Sequence, residues 1–215
     1  MPAVRDVPPT RGCFVAFEGG DGAGKSTQSA LLGAWLREGG REVVLTREPG
    51  GTPVGMAIRD VLLHGEHVAP RAEALLFAAD RAHHVATVVR PALERGAVVL
   101  TDRYMDSSVA YQGVARSLAR EDVRGLSLWA TEGLLPDLTV VLDVTSGEGR
   151  TRRGHVHDRL EREDDGFHDR VRQGFLDLAA ADPGRYLVLD ATAPAQQIHA
   201  AVRERFGLLA DEAAV

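Results

Sequence analysis

A glycine-rich stretch near the start of the chain places the strongest limit on how the chain can fold. Residues 19–27 read Gly-Gly-Asp-Gly-Ala-Gly-Lys-Ser-Thr, which fits the pattern of one glycine, four free residues and then Gly-Lys-Ser/Thr. The apolar run 13–18 predicts a buried strand, and the residues after Ser26 have the periodicity of a helix. Strand, glycine loop and helix in this order predict a phosphate-binding loop, because glycine backbone and a helix N-terminus surround an anion with N–H groups.

This loop contains Lys25, the only lysine of the chain, whereas arginine supplies the other permanent positive charges. A phosphate-bridging loop needs a compact ammonium on a flexible stem rather than a planar fork. The hydroxyl of Ser26 is suited to a magnesium ion. The alternative is a glycine-rich surface turn. It would not explain why a strand, a helix and the only lysine of the chain occur together here. We therefore expect the whole loop to bind nucleotide: Gly19, Gly20, Asp21, Gly22, Ala23, Gly24, Lys25, Ser26 and Thr27.

The chain of 215 residues is long enough for one full hydrophobic core and short for two. Its formal net charge of −6 argues against a general nucleic-acid or membrane-surface binder, since such proteins carry a basic excess. No apolar run approaches the length of a membrane span, and the single cysteine, Cys13, suits a reducing cytoplasm. We expect a flexible N-terminal leader over residues 1–11, one domain over 12–208 and a loose tail over 209–215.

Apolar, β-branched runs alternate with helical patterns along the chain. Strands are predicted over residues 13–18, 42–46, 97–102, 138–144 and 185–190. With the glycine loop after the first strand, this alternation predicts the three-layer α/β fold of P-loop NTPases, a five-stranded, mainly parallel sheet with helices on both faces. Such sheets bind ligands at the carboxyl ends of their strands, which singles out the turn 47–53. The alternative for that turn is an ordinary strand-to-helix connection.

A long helix is predicted over residues 72–89, with an apolar stripe formed by Leu75, Leu76, Ala79 and Ala82. Phe77 and Arg81 are four residues apart and therefore share a second face of this helix. A ring followed one turn later by arginine can stack on a nucleobase and hydrogen-bond it. The alternative, a core phenylalanine with a solvated arginine, is the one that spacing alone favours.

The third predicted strand ends in Asp102-Arg103-Tyr104. An acidic residue at the end of a hydrophobic strand beside a glycine loop commonly orders Mg²⁺ and its waters, so Asp102 and Ser26 are the predicted metal-binding pair. A short helix follows, with Tyr111 and Gln112 as candidates for reading the edge of a base. Otherwise this pair forms a polar surface.

The most charged segment of the chain follows Gly147. It contains five arginines, which are Arg150, Arg152, Arg153, Arg159 and Arg162. Glycines allow a segment to hinge and arginines can close over a polyphosphate, so residues 147–163 are predicted to form a lid. The alternative is a solvated charged helix, since acidic residues are interspersed. The histidines, including His83 and His84, are interpreted as solvated, because they form no convincing metal site.

These features favour a kinase of small molecules. GTP switches need an Asn-Lys-x-Asp motif for guanine, which cannot exist in a chain whose one lysine lies in the glycine loop. Motor ATPases are larger. Arginines beyond the loop lysine suggest a second phosphorylated substrate that faces ATP.

Five motifs in order resemble the thymidylate kinase family, from about Phe14 to about Arg162. They are Phe-Glu-Gly-Gly-Asp-Gly-Ala-Gly-Lys-Ser-Thr, Thr-Arg-Glu-Pro-Gly-Gly-Thr, Leu-Leu-Phe-Ala-Ala-Asp-Arg, Asp-Arg-Tyr with Ser-Ser-x-Ala-Tyr-Gln-Gly, and Pro-Asp-Leu-Thr-Val-Val-Leu-Asp-Val. The glycine loop alone is shared by many NTPases, whereas the ordered set is specific. The resemblance implies transfer of the ATP γ-phosphate to dTMP, giving dTDP for dTTP biosynthesis, with Mg²⁺.

The resemblance also implies roles for individual residues. Asp21 matches a carboxylate that hydrogen-bonds the deoxyribose 3′-hydroxyl, and Arg47 and Arg103 match arginines that hold the dTMP phosphate. Phe77 matches the ring that stacks on thymine, and Arg81 matches the guanidinium that contacts its O4. The base- and sugar-reading helix would contribute Ser108, Tyr111 and Gln112.

Some family members carry a basic residue inside the glycine loop, where this chain has Gly22 and Ala23. The resemblance then implies catalytic arginines in the lid, with Arg152 or Arg153 preferred over Arg150 and Arg159. It also implies a homodimer. The single cysteine, the net charge and the lack of a membrane span lead us to expect a cytoplasmic protein that binds neither nucleic acid nor membrane. Two alternatives stay open: a kinase of the same fold for another nucleoside monophosphate, and a nucleotide-binding protein without catalysis.

Overall fold

A computed structural model describes residues 12–152 and 158–212 of the chain. Within these ranges the strands are β1 Cys13–Gly19, β2 Val43–Arg47, β3 Val98–Asp102, β4 Leu138–Asp143 and β5 Tyr186–Asp190. The helices are α1 Lys25–Glu38, α2 Pro53–Arg59, α3 Pro70–His84, α4 Arg90–Glu94, α5 Met105–Ser108, α6 Arg120–Ala130, α7 Ser146–Arg152, α8 Asp165–Ala181 and α9 Ala195–Glu212. The π-helical segments Asp60–His64, Val85–Val89 and Val109–Ala115 extend α2, α3 and α5.

The strands of the described ranges form one parallel sheet with the order β2-β3-β1-β4-β5. The predicted fold class is therefore confirmed, and the predicted strand ends agree with the observed ones to within one residue. The central strands are buried on both faces, which explains why they appear in the sequence as continuous apolar runs. Strand register places Phe17 and Arg47 on either side of Asp102, so the carboxyl ends of β1, β2 and β3 lie at one edge.

The predicted apolar stripe of α3 is wrong. Leu75 and Ala79 are exposed, whereas Glu73, Phe77 and Arg81 lie on the buried face of this helix. Periodicity counts apolar residues, and here the buried face is polar because its charged groups pair with residues of other elements, as Arg81 does with Glu48 and Glu73 with Arg159. Leu75 and Ala79 remain on the surface, while Leu76 is half-buried and packs against the core.

The structure describes only part of the predicted leader, lid and tail segments. The leader, residues 1–11, lies outside them, as do residues 153–157 of the predicted lid and residues 213–215. Helix α9 runs to Glu212 and so extends into the predicted tail. In the part of the chain that the structure describes, no helix is both long and apolar enough to cross a membrane.

Candidate active site

A pocket of about 620 Å³ lies at the carboxyl edge of the sheet, beside the glycine loop. Its wall includes most of the predicted site residues, namely Asp21, Gly22, Gly24, Lys25, Ser26, Thr27, Arg47, Phe77, Arg81, Asp102, Arg103, Ser108, Tyr111, Gln112 and Arg152. The structure thus brings residues as far apart in the sequence as Asp21 and Arg152 into one cavity. Ala23, by contrast, is buried in the hydrophobic core beneath the loop.

The glycine loop presents Lys25 at the start of α1. Gly24 has a φ of 93°, a conformation that favours glycine, and it precedes the helix directly. The Lys25 ammonium donates hydrogen bonds to the carbonyl oxygens of Gly19 (3.2 Å) and Gly20 (2.8 Å). Burial, followed by the positive charge of Arg103, lowers the pKa of Lys25. The ammonium is therefore held by weak backbone acceptors in a site that favours an anionic partner.

The predicted metal-binding pair is assembled at the mouth of the loop. Ser26 Oγ lies 2.5 Å from Asp102 Oδ2. Both are oxygen ligands of the kind that Mg²⁺ prefers, and Mg²⁺ normally takes only one or two protein ligands besides phosphate oxygens and waters. Within the described ranges no group of three or more His, Cys, Asp or Glu side chains could hold a metal, which also argues against an all-protein cage. The residues present fit a magnesium–nucleotide complex.

Arg103 forms the centre of a polar cluster opposite the loop. Its guanidinium donates to Asp21 in an ion pair and also to Ser107 Oγ (3.0 Å) and Tyr111 Oη (3.1 Å). Tyr111 Oη donates in turn to Asp21 Oδ2 at 3.2 Å. The backbone of Arg103 has a φ of 71°, a left-handed conformation that is unusual for a residue with a side chain and is enriched at active sites. The cluster places a permanent cation and a carboxylate side by side in the pocket.

Sequence reasoning missed Glu18, the fully buried residue that holds this cluster from below. Glu18 Oε1 accepts from the backbone N–H of Tyr104 (2.8 Å) and of Ser107 (3.1 Å), and Oε2 accepts from Ser107 Oγ (2.6 Å). Burial, with the nearby Asp106 carboxylate, raises the pKa of Glu18 to about 7. Its position at the end of β1 directly before the glycine loop was the available signal.

Arg81 lies inside a second network and is not solvated, so the alternative favoured by spacing alone is wrong. Its guanidinium donates to Glu48 Oε2 (2.7 Å), Ser127 Oγ (3.2 Å), Ser108 Oγ (3.1 Å) and the Tyr104 carbonyl (3.1 Å). One edge of this fixed cation still lines the pocket, one turn from Phe77.

The interpretation of His84 as solvated is also wrong. His84 is fully buried, with Nδ1 2.9 Å from Glu48 Oε1 and Nε2 2.6 Å from Thr46 Oγ1. Glu48 therefore joins His84 to Arg81. Glu48 lies in the turn after β2. Nothing in the sequence indicated that this turn lies next to α3.

Comparison with known proteins decides the family. The thymidylate kinase family model matches residues 17–202. The chain belongs to the thymidylate kinase family. A thymidylate kinase from Clavibacter michiganensis subsp. michiganensis is 62% identical over 198 residues, which cover 90% of this chain and 94% of the relative. A thymidylate kinase from Deinococcus radiodurans is 51% identical over 196 residues, covering 90% and 95%.

Solved structures agree with this assignment. The crystal structure of a thymidylate kinase from Ehrlichia chaffeensis superposes with a TM-score of 0.75 at 33% identity and covers 90% of this chain and 98% of that one. The resemblance drawn from the five sequence motifs is confirmed, and with it the classification as a nucleotide-binding transferase.

In this thymidylate kinase family member, the predicted lid arginines have different surroundings. Arg152 lines the pocket and donates to the Ala191 carbonyl at 2.8 Å, next to the end of β5. Arg150 forms an ion pair with Asp165, and Arg159 binds the buried carboxylate of Glu73 at 2.5 Å. Arg153 lies outside the described residues. Among the described candidates, only Arg152 reaches the pocket, because the partners of the other two lie elsewhere.

The pocket has a further cation that sequence reasoning missed. Arg59, on α2, lines it together with Arg47 and donates to the Pro49 carbonyl at 2.9 Å. Burial, followed by the nearby Arg47, lowers the pKa of Arg59. Arg47 itself contacts the Met56 sulfur at 3.7 Å. Two guanidinium groups that line the same pocket favour an anionic ligand there.

Proposed function

We propose that this chain phosphorylates dTMP to dTDP with the γ-phosphate of ATP, in dTTP biosynthesis. The observation that supports this most strongly is the single pocket that joins the glycine loop to a separate set of arginines and a ring, Phe77. Two phosphorylated substrates that exchange one phosphoryl group need this arrangement. Membership of the thymidylate kinase family supports dTMP as the acceptor.

The donor side consists of the glycine loop, Lys25 and Arg152. Backbone N–H groups of the loop bind the β-phosphate, and Lys25 leaves the carbonyls of Gly19 and Gly20 to bridge β- and γ-oxygens. Ser26 and Asp102 would hold Mg²⁺, which would supply positive charge to offset that of the transferred phosphate. Arg152, and Arg153 from the segment outside the described residues, neutralise the charge that develops during transfer.

The acceptor side consists of the cluster opposite the loop. Phe77 stacks on thymine while Arg81 donates to its O4, and Ser108, Tyr111 and Gln112 complete the base and sugar pocket. Asp21 accepts a hydrogen bond from the 3′-hydroxyl. Arg47 and Arg103 hold the phosphate of dTMP and offset its repulsion from ATP.

The transfer itself needs positioning more than covalent chemistry. The attacking dTMP phosphate oxygen is already ionised at neutral pH, because the second pKa of a phosphate monoester is about 6. No strong general base is therefore required. Closure of residues 147–163 over the pocket excludes water, which would otherwise accept the phosphoryl group.

The test is an ADP-release assay with ATP, Mg²⁺ and a panel of dTMP, dUMP, dCMP, dGMP, AMP, UMP and CMP. We expect a strong preference for dTMP. Preference for another monophosphate would keep the kinase and overturn the roles of Phe77 and Arg81. A folded, ATP-binding protein without turnover on any of them would contradict the proposal and favour a binding protein.

We also propose a cytoplasmic homodimer. The neighbouring helices α2, α3 and α6 expose large apolar side chains, among them Val54, Leu75 and Trp129, and Trp129 is 80% exposed. Such a surface is typical of a covered interface. Light scattering should give twice the mass of the chain, and Leu75→Arg should give the mass of one chain. A wild-type monomer would contradict this proposal.

A further inference from the structure

Glu73 is a fully buried carboxylate in the first turn of α3 that none of the proposed steps uses. Its Oε1 accepts from Gln112 Nε2 at 2.8 Å and from Arg116 Nε at 3.4 Å, and its Oε2 accepts from Arg159 at 2.5 Å. Glutamate is almost never fully buried unless it is paired, and here two guanidinium groups and one amide pair with it. Each of these three partners donates a hydrogen bond, so the surroundings of Glu73 favour an ionised carboxylate.

This carboxylate determines which end of the Gln112 amide faces the pocket. A glutamine amide has one donor end and one acceptor end, whereas a carboxylate only accepts. The donor end must point to Glu73, so the acceptor end, Oε1, points away from it. Gln112 lines the pocket, and no residue in the described ranges donates a hydrogen bond to Gln112 Oε1. The pocket therefore contains a fixed, unused acceptor.

Pyrimidines differ in what they offer to such an acceptor. Thymine and uracil carry a hydrogen at N3, which donates, whereas N3 of cytosine has a lone pair, which accepts. The neighbouring Arg81 guanidinium only donates and is itself fixed by Glu48. A fixed acceptor beside a fixed donor matches the N3–H and O4 pair of thymine and mismatches the N3 and amino pair of cytosine.

We propose that Glu73 is a positioning residue for base selection, which acts by holding the Gln112 amide as an acceptor for a pyrimidine N3–H. The inference rests on the proposed function, since it assumes a nucleoside monophosphate acceptor with its base against Phe77. Glu73 makes no contact with substrate in this scheme. It excludes the flipped amide, whose NH₂ group would donate a hydrogen bond to N3 of cytosine.

The same carboxylate also reaches the predicted lid. Arg159 donates from Nε to the Leu62 carbonyl (2.8 Å) and from its backbone N–H to the Leu63 carbonyl (3.1 Å), besides its bond to Glu73. A change at Glu73 therefore alters two things, the amide and the attachment of Arg159. The experiment has to separate them, and the chain offers variants that do so.

The test compares kcat/KM for dTMP and for 5-methyl-dCMP, which keeps the methyl group but reverses the pattern at N3 and position 4. In Glu73→Gln the amide can turn, so the preference for dTMP should fall about tenfold, the size of one misdirected buried hydrogen bond. Glu73→Asp keeps an acceptor-only group and should retain most of the preference. Arg159→Gln should lower kcat for both substrates equally and leave the ratio unchanged.

Glu163→Gln is the matched control. Glu163 pairs with Arg116 at 2.7 Å, and Glu73 contacts the same arginine at 3.4 Å, but Glu163 makes no hydrogen bond to Gln112. The same chemical change there should leave the ratio as in the wild type. If Glu73→Gln does not fold because Arg159 loses its partner, the double variant with Arg159→Gln keeps the site neutral and is compared with Arg159→Gln alone.

The outcomes distinguish this inference from the proposed function. A wild type that shows no preference for dTMP over the other monophosphates contradicts the proposed function. A wild type that prefers dTMP, with the same ratio in Glu73→Gln, leaves the proposed function standing and overturns the role of Glu73. A fall in the ratio that Arg159→Gln reproduces would assign the effect to the lid and also overturn it.

Discussion

Ser26 Oγ and Asp102 Oδ2 lie 2.5 Å apart and join the first turn of α1 to the end of β3. The two residues are 76 positions apart in the chain, so the parallel pairing of β1 with β3 is what brings them together. A hydroxyl and a carboxylate at this place are the protein oxygens that a magnesium–nucleotide complex needs; phosphate oxygens and waters supply its other ligands. The first prediction concerns this pair.

Asp102→Asn should raise the Mg²⁺ concentration for half-maximal activity by about tenfold or more, because the amide removes the negative charge that attracts the cation. A Mg²⁺ titration at saturating substrates measures this. Asp143→Asn is the matched control, since Asp143 also ends a strand but pairs with Arg172 at 2.5 Å. An unchanged Mg²⁺ dependence in Asp102→Asn would contradict the metal assignment.

Lys25→Ala should lower kcat by about 10²- to 10³-fold, the usual cost of removing one donor aimed at developing charge. The fold should remain, because the lysine gives up only two bonds to loop carbonyls. Circular dichroism and the unfolding midpoint check the fold, and the ADP-release assay checks turnover. Normal turnover by a folded variant would refute the role of the loop.

The chain's only lysine can be observed directly. Reductive ¹³C-methylation labels Lys25 and the N-terminus alone, so its pKa can be read from an NMR titration. Since burial lowers the pKa of Lys25, the free enzyme should lose this proton at a lower pH than an ordinary lysine does. Bound ATP should raise the pKa again through its negative charge. A titration that ATP does not affect would mean that the ammonium does not meet the phosphates.

Glu18 should make stability fall as pH rises. Its pKa is raised from 4.5 to about 7 in the folded chain, so the folded state binds more protons than the unfolded state between these values. The stabilising effect of the protonated carboxyl is complete below about 4.5 and is lost by about pH 7. Relative to Glu18→Gln, the free energy of unfolding of the wild type should drop by about 3 kcal/mol across this range. Urea titrations at several pH values measure the difference, and parallel curves would contradict the assignment.

Asp21→Asn should impair dTMP use more than ATP use. Asp21 pairs with Arg103 and accepts from Tyr111, so its loss disturbs the acceptor side of the pocket. The KM for dTMP should rise about tenfold, a loss of the size expected for one charge-assisted hydrogen bond, while the KM for ATP changes little. Equal losses for both substrates would argue against a 3′-hydroxyl role.

The sequence predicted the sheet and the mouth of the pocket because both depend on local signals. Apolar runs bounded by glycine, proline and charged residues mark the strands, and Gly-Lys-Ser marks the loop. Asp102 could be predicted because it ends β3. This strand pairs with β1, which leads directly into the glycine loop.

The groups behind the pocket could not be predicted in the same way. Glu48, Glu73 and His84 are charged or polar residues that local pattern assigns to the solvent, yet each is buried against partners 33 or more positions away. The stripe on α3 failed for the same reason, since Leu75 is exposed while Arg81 is buried. Burial of charge is decided by partners that only the fold brings together.

The order of the sheet has a consequence for how the site comes into existence. β1 pairs with β3 on one side and with β4 on the other, so the glycine loop, Arg47 and Asp102 acquire their positions only after segments more than 80 residues apart have paired. No short fragment of the chain contains the pocket, because its wall combines the ends of several strands with residues of the surrounding helices. Nucleotide bound there stabilises the native sheet as a whole, and the midpoint of thermal unfolding should rise with nucleotide concentration in one cooperative transition.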